Sequence, residues 1–186
     1  MLGHGVVDVD TGELITISNG ELVTSNIIGI KKGKDGQPGE IKGSIEEARK
    51  IGIITKNTYF GIFGNITNKT NINMDGKVFD VANRNEIKTG LAQIICEVEN
   101  GIKKYYDIEI QKVFTSNNIN NKSMLIKITD EELINKTGGI VQGMSGSPII
   151  QNGKFVGAVT HVLVNSSDTG YAVFADMMIK QMREIK

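Results

Sequence analysis

Gly143-Met144-Ser145-Gly146-Ser147-Pro148 runs directly into Ile149-Ile150-Gln151-Asn152-Gly153-Lys154, and the second half of this stretch decides how the first is read. A serine set among glycines on a tight turn occurs on unrelated scaffolds. In the α/β-hydrolase elbow the pattern is Gly-x-Ser-x-Gly, joining a strand to a helix. Here position 147 is Ser, and an apolar strand pattern follows, then an Asn-Gly turn signal and a second strand pattern over 154–164. Two such runs about an Asn-Gly pair form a β-hairpin. The serine therefore opens onto a hairpin, and the hydrolase elbow is excluded.

Outward from this hairpin the chain reads as short strands between turns. Strands are expected over 5–10, 13–18 and 21–31, with Asn19-Gly20 as the hairpin turn between the last two. A polar Gly/Pro loop occupies 31–40, and strands follow over 50–56 and 58–66. Met74-Asp75-Gly76-Lys77 reads as a turn. Runs 91–97 and 103–111 pair across Glu99-Asn100-Gly101, and 124–128 is a short strand. Thr129 or Asp130 N-caps a brief helix, with Glu131 and Glu132 in its first turn and Gly138-Gly139 at its end. The spacing of Phe174, Met177, Met178 and Met182 predicts a helix within 172–186 that caps the domain. The 22 glycines against 2 prolines suit a chain of many tight turns. The expected class is mainly β, a barrel or sandwich.

Composition narrows the function. A chain of 186 residues with 39% hydrophobic and 23% charged residues is expected to form one domain, residues 1–186, around a real core. Lys+Arg and Asp+Glu both total 21, which argues against a nucleic-acid footprint or a polybasic membrane face. The single cysteine, Cys96, excludes an internal disulfide framework, and with two histidines leaves too few ligands for a Cys/His zinc site. No apolar run approaches the roughly 20 residues needed to span a bilayer, and Met1-Leu2-Gly3-His4-Gly5 lacks the regions of a signal peptide.

The chemistry sits at Ser145. Gly-x-Ser-Gly-x-Pro followed by a hairpin is the arrangement around the nucleophile of chymotrypsin-like peptidases. In that reading the amides of Gly143 and Ser145 point at the developing oxyanion, a donor pair worth a few kcal/mol in the transition state. A serine hydroxyl needs a base, and only His4 and His161 are available. His4, between two glycines, is the better base. His161 follows Thr160 on the strand after the nucleophile, where His161 and Thr160 suit substrate binding at the pocket wall. A histidine at that edge favours polar or acidic substrate side chains. The orienting acid stays open among Asp8, Asp10, Asp75, Asp80, Asp107 and Asp130.

Three blocks carry a resemblance to a known family. They are Leu2-Gly3-His4-Gly5 with Asp8-Val9-Asp10-Thr11-Gly12, the stretch from Gly138-Gly139-Ile140-Val141-Gln142-Gly143 through Lys154, and Gly157-Ala158-Val159-Thr160-His161-Val162. With Ile30-Lys31-Lys32-Gly33, Pro38-Gly39-Glu40-Ile41-Lys42-Gly43 and Gly170-Tyr171, the chain resembles the SpoIVB family of sporulation serine peptidases over nearly its whole length. The resemblance implies a chymotrypsin-like double β-barrel with a C-terminal helix. With His4 as the fourth residue, the barrel is expected to lack its first strands. It also implies His4 as base, Ser145 as nucleophile and Asp130 as acid, with no cofactor and no metal. The implied partner is a membrane-bound regulatory protein of sporulation, cleaved between forespore and mother cell so that pro-sigma factor processing is activated. The membrane anchor and PDZ domain usual in the family are not expected in this chain. The competing expectation is a non-catalytic β-barrel that binds an extended peptide or protein by strand addition.

Overall fold

The computed structural model describes residues 5–7, 11, 13–69, 76–114 and 122–185. Their elements in order are β1 (Gly5–Val7), β2 (Leu14–Thr16), β3 (Gly20–Lys31), β4 (Glu40–Thr58), β5 (Gly61–Ile66), β6 (Asp80–Val81) and a 3₁₀ turn (Arg84–Glu86). Then come β7 (Gly90–Glu99), β8 (Ile102–Val113), β9 (Met124–Ile128), α1 (Glu131–Thr137), β10 (Pro148–Gln151), β11 (Lys154–Leu163), β12 (Ser166–Phe174) and α2 (Ala175–Arg183). The fold is mainly β, with 58% of the described residues in strands and 12% in helices. It divides into two compact units, one of residues 1–25, 45–77 and 177–186, the other of 26–44 and 78–176.

The second unit holds a closed barrel of six strands. Its order is β10-β7-β8-β9-β12-β11, and pairing of β10 with β11 completes the ring. Closure leaves the six strands no free edge between them. The pleat sends alternate side chains inward: Ile94 on β7, Tyr106, Ile108 and Ile110 on β8, and Met124, Ile126 and Ile128 on β9 are all at most 1% exposed. The β10–β11 connection is the expected Asn-Gly turn, with Asn152 at φ 52° and Gly153 at φ 75°, the double positive φ of a type I′ hairpin. This barrel and the C-terminal α2 agree with the chymotrypsin-like expectation.

Among the described residues of the first unit, β1 pairs with β2, and β4 pairs with β5 from Gly52↔Ile66 to Thr58↔Gly61 in the sheet β3-β4-β5. Asn57, buried, donates its side-chain amide to the Ile17 carbonyl at 2.8 Å.

Three local expectations are corrected. Asn19-Gly20 does not join a hairpin: β2 pairs with β1 while β3 joins β4, whose 19 residues offer a longer ladder. β4 begins at Glu40, not near 50, because the charged run 40–46 lies half-buried or exposed and shows no apolar alternation. β12 occupies 166–174, so helix begins only at Ala175. Near-continuous burial of 169–174 hid its period of two.

Candidate functional site

The loop 138–147 between α1 and β10 carries the site, and backbone bonds fix it along its length. Gly138 ends α1 in the left-handed conformation, its N–H bonded to the Ile134 carbonyl. Ile140 N–H donates to the Ser167 carbonyl at 2.7 Å, and Gln142 N–H to the Gly39 carbonyl at 2.9 Å. The segment 33–41 braces the same loop: Gly33 N–H donates to the Thr137 carbonyl at 2.7 Å and Ile41 N–H to the Gln142 carbonyl at 2.8 Å.

At the turn itself Met144 N–H donates to the Val141 carbonyl at 3.1 Å and Ser147 N–H to the Met144 carbonyl at 3.0 Å. Gly146 N–H donates to the Val159 carbonyl at 2.8 Å, and Val159 N–H returns to the Ser147 carbonyl at 3.0 Å. Met144 points into the core at 1% exposure, and its Sδ accepts from Val141 N–H at 3.4 Å. Its neighbours Gly143 and Ser145 are exposed. Neither of their amides has a hydrogen-bond partner among the described residues. Buried Met144 thus anchors a turn whose exposed neighbours carry two amides that bond no described residue, and one hydroxyl. Gly143 sits at φ 99°, and a Cβ there would stand 3.1 Å from Ile41 Cβ.

Ser145 Oγ donates to the backbone carbonyl of Thr160 at 2.9 Å. Thr160, nearly buried, donates its own hydroxyl to the Tyr171 carbonyl at 3.1 Å. Strand β11 therefore leaves the serine through Thr160 and exposed His161. The structure thus brings together Gly143, Ser145 and Thr160, with His161 next along the strand.

Asp130 is the N-cap of α1. Its Oδ1 accepts from Leu133 N–H at 2.9 Å and its Oδ2 from Asp107 N–H at 3.3 Å, and its own N–H donates to the Asp107 carbonyl at 3.0 Å. These bonds tie it to β8 and α1, not to Ser145. Asp107 accepts from Gln93 Nε2 at 2.8 Å, and Asp80 lies exposed on β6 in register with Lys154. His4, Asp8, Asp10 and Asp75 lie outside the described residues.

Electrostatics remove one rival nucleophile. Burial, with the Asp130 charge as a second cause, pushes the Cys96 thiol up to about 12, so it stays protonated and unreactive at neutral pH. Around α1, hydrogen bonds from Lys104 and then Lys136 hold the Glu132 carboxyl down to about 2.

Sequence reasoning missed the Thr160 carbonyl as the partner of Ser145, since a backbone group leaves no trace in residue type.

Among protein families, the one described as SpoIVB peptidase S55 matches residues 1–179. No curated protein matches the chain.

Proposed function

The chain belongs to the SpoIVB peptidase S55 family and is a peptidase, and from that premise we propose that it is a serine endopeptidase with Ser145 as nucleophile and His4 as base. The observation that carries this reading is the 143–147 turn: an exposed hydroxyl on Ser145, flanked by the open amides of Gly143 and Ser145, all held by one buried methionine. That is a nucleophile beside two preorganised donors. The family resemblance supplies His4 and, as orienting acid, Asp130. Its carboxylate has about four acceptor sites, of which the two described amide bonds occupy two.

In this mechanism Ser145 Oγ attacks the scissile carbonyl carbon while His4 takes the hydroxyl proton. The C=O π pair moves to oxygen, and the amides of Gly143 and Ser145 hold the oxyanion. The C–N bond breaks as His4 gives its proton to the leaving amine, and the chain is left as an ester on Ser145. Water, deprotonated by His4, attacks that ester, and the serine leaves with the proton restored. Thr160 and His161 line the substrate side of the nucleophile. By the same resemblance the substrate is a membrane-bound regulatory protein of endospore formation, met between forespore and mother cell, and its cleavage activates processing of a pro-sigma factor.

The test is labelling of the whole chain with a small fluorophosphonate. The parent is expected to be labelled at Ser145, and Ser145→Ala and His4→Ala to lose the label. A Ser145→Ala protein labelled as strongly as the parent overturns the mechanism, and a parent that takes no label favours the non-catalytic strand-binding alternative.

A further inference from the structure

In the serine-peptidase reading the substrate side chain before the scissile bond lies beside Ser145, against Thr160 and His161 of β11, and a buried side chain packs next to that strand. Three segments frame it. Loop 138–143 leads to the turn, β11 leaves Ser145 through Thr160 and His161, and β12 runs antiparallel to β11 with Val162 opposite Gly170. Gly170 is buried, and a Cβ built on it would lie 2.7 Å from Ile140 Cδ1. The Ile140 side chain therefore rests directly on the backbone of β12, at the one strand position that has no side chain of its own. Ile140 is 3% exposed, and its N–H is fixed to the Ser167 carbonyl at 2.7 Å. Its side chain is held there as part of the packed interior and does not hang over an open mouth.

The geometry points to Ile140 as the residue that limits the substrate side chain before the cleaved bond to a small one, such as Ala, Ser or Val. This rests on the serine-peptidase reading and deepens it. With Ile140 buried and packed on Gly170, a Phe, Leu or Lys side chain enters there only if packed atoms move, and overpacking of that kind is unfavourable. The selection is steric, so it acts at Ile140 from inside the pocket, not at the exposed His161 on its rim. Gly170 leaves the room Ile140 fills; a side chain at 170 would meet both Ile140 and the His161 carbonyl, 2.3 Å from the Cβ position.

Peptidyl diphenyl phosphonates that differ only in the residue before the phosphorus (Ala, Val, Phe or Lys) test this on the full chain. In the parent, Ala and Val reagents are expected to inactivate at least about tenfold faster than Phe or Lys, the discrimination a filled apolar pocket supplies. Ile140→Gly is expected to raise the ratio of the Phe rate to the Ala rate at least about tenfold. A parent that takes Phe or Lys as readily as Ala overturns the inference, whatever the variant does, as does an Ile140→Gly protein with parental selectivity. If Ile140→Gly fails to fold, Ile140→Ala and the parent profile carry the same test. The small fluorophosphonate fits without that pocket, so a chain labelled at Ser145 yet indifferent to reagent size loses this inference alone. One unlabelled at Ser145 loses the peptidase reading with it.

Discussion

Ser145 is bonded to strand β11: its Oγ donates to the Thr160 carbonyl at 2.9 Å. The contact is made by a backbone group that no substitution of Thr160 removes.

Ser145→Ala is accordingly expected to abolish turnover without harming the fold. The lost bond is a single one at an exposed residue, and net contributions of that kind are about 1 kcal/mol. Thermal unfolding within a few degrees of the parent, beside absent labelling, is the expected pair of results. A collapse in melting temperature would make the hydroxyl structural.

The two glycines about Ser145 separate strain from function. Gly143 (φ 99°) and Gly146 (φ 91°) both hold conformations costly for an L side chain, by about 1–2 kcal/mol, but only at 143 would the new Cβ press on Ile41, while at 146 nothing lies within 4 Å. Gly143→Ala is expected to be the more destabilising and to lower kcat by about 10²–10³-fold, because the backbone must shift away from Ile41 and carry the Gly143 amide off the oxyanion position. Gly146→Ala should cost stability with a far smaller fall in kcat. Equal kcat losses would detach the Gly143 amide from catalysis.

How far the sequence disclosed all this depends on what each feature needs. The 148–164 hairpin and the α1 caps are local, so Asn152-Gly153, Asp130 and Gly138 announced them. The barrel was legible only as a class, because closure depends on β10 meeting both β7 and β11, a pairing no local pattern encodes. Asn19-Gly20 misled for the same reason: a local turn preference lost to a long-range ladder between β3 and β4. Within the site, Ser145 and Gly143 were readable from type and spacing. The Thr160 carbonyl and the placement of Ile140 on Gly170 arise from backbone approach between distant segments.

Asp130 is asked to do two things, and substitutions divide them. Asn keeps an oxygen for the Leu133 amide but removes the charge, whereas Ala removes the cap as well, at about 1 kcal/mol. Asp130→Asn is expected to keep nearly the parental melting temperature while turnover falls by about 10⁴-fold, the scale for a mis-set imidazole tautomer. Parental turnover in Asp130→Asn with a lowered melting temperature in Asp130→Ala would leave Asp130 a helix cap and pass the acid role to another aspartate.

Cys96 offers a check on the barrel interior. Its thiol, pushed up to about 12 mainly by burial, is expected to resist iodoacetamide at pH 8 in the folded chain and to react fully in denaturant, read by mass. Rapid alkylation of the native protein would mean that β7 opens readily.

The ion pairs on α1 give a signed pH prediction. Glu132 bonds Lys104 at 2.6 Å and Lys136 at 2.8 Å, and these hold its carboxyl at about 2 against an ordinary 4.5. A carboxyl whose folded value is depressed contributes stability that is fully present above the unfolded value and is lost as pH falls through the folded one. Glu132→Gln should therefore melt below the parent at pH 7, with the gap shrinking from about pH 4.5 downward and closing near pH 2. The pairs are solvent-exposed, so the pH 7 gap is small and narrows in molar salt. A gap that persists unchanged at pH 2 would trace the effect of Glu132 to packing of its side chain on α1, not to its charge.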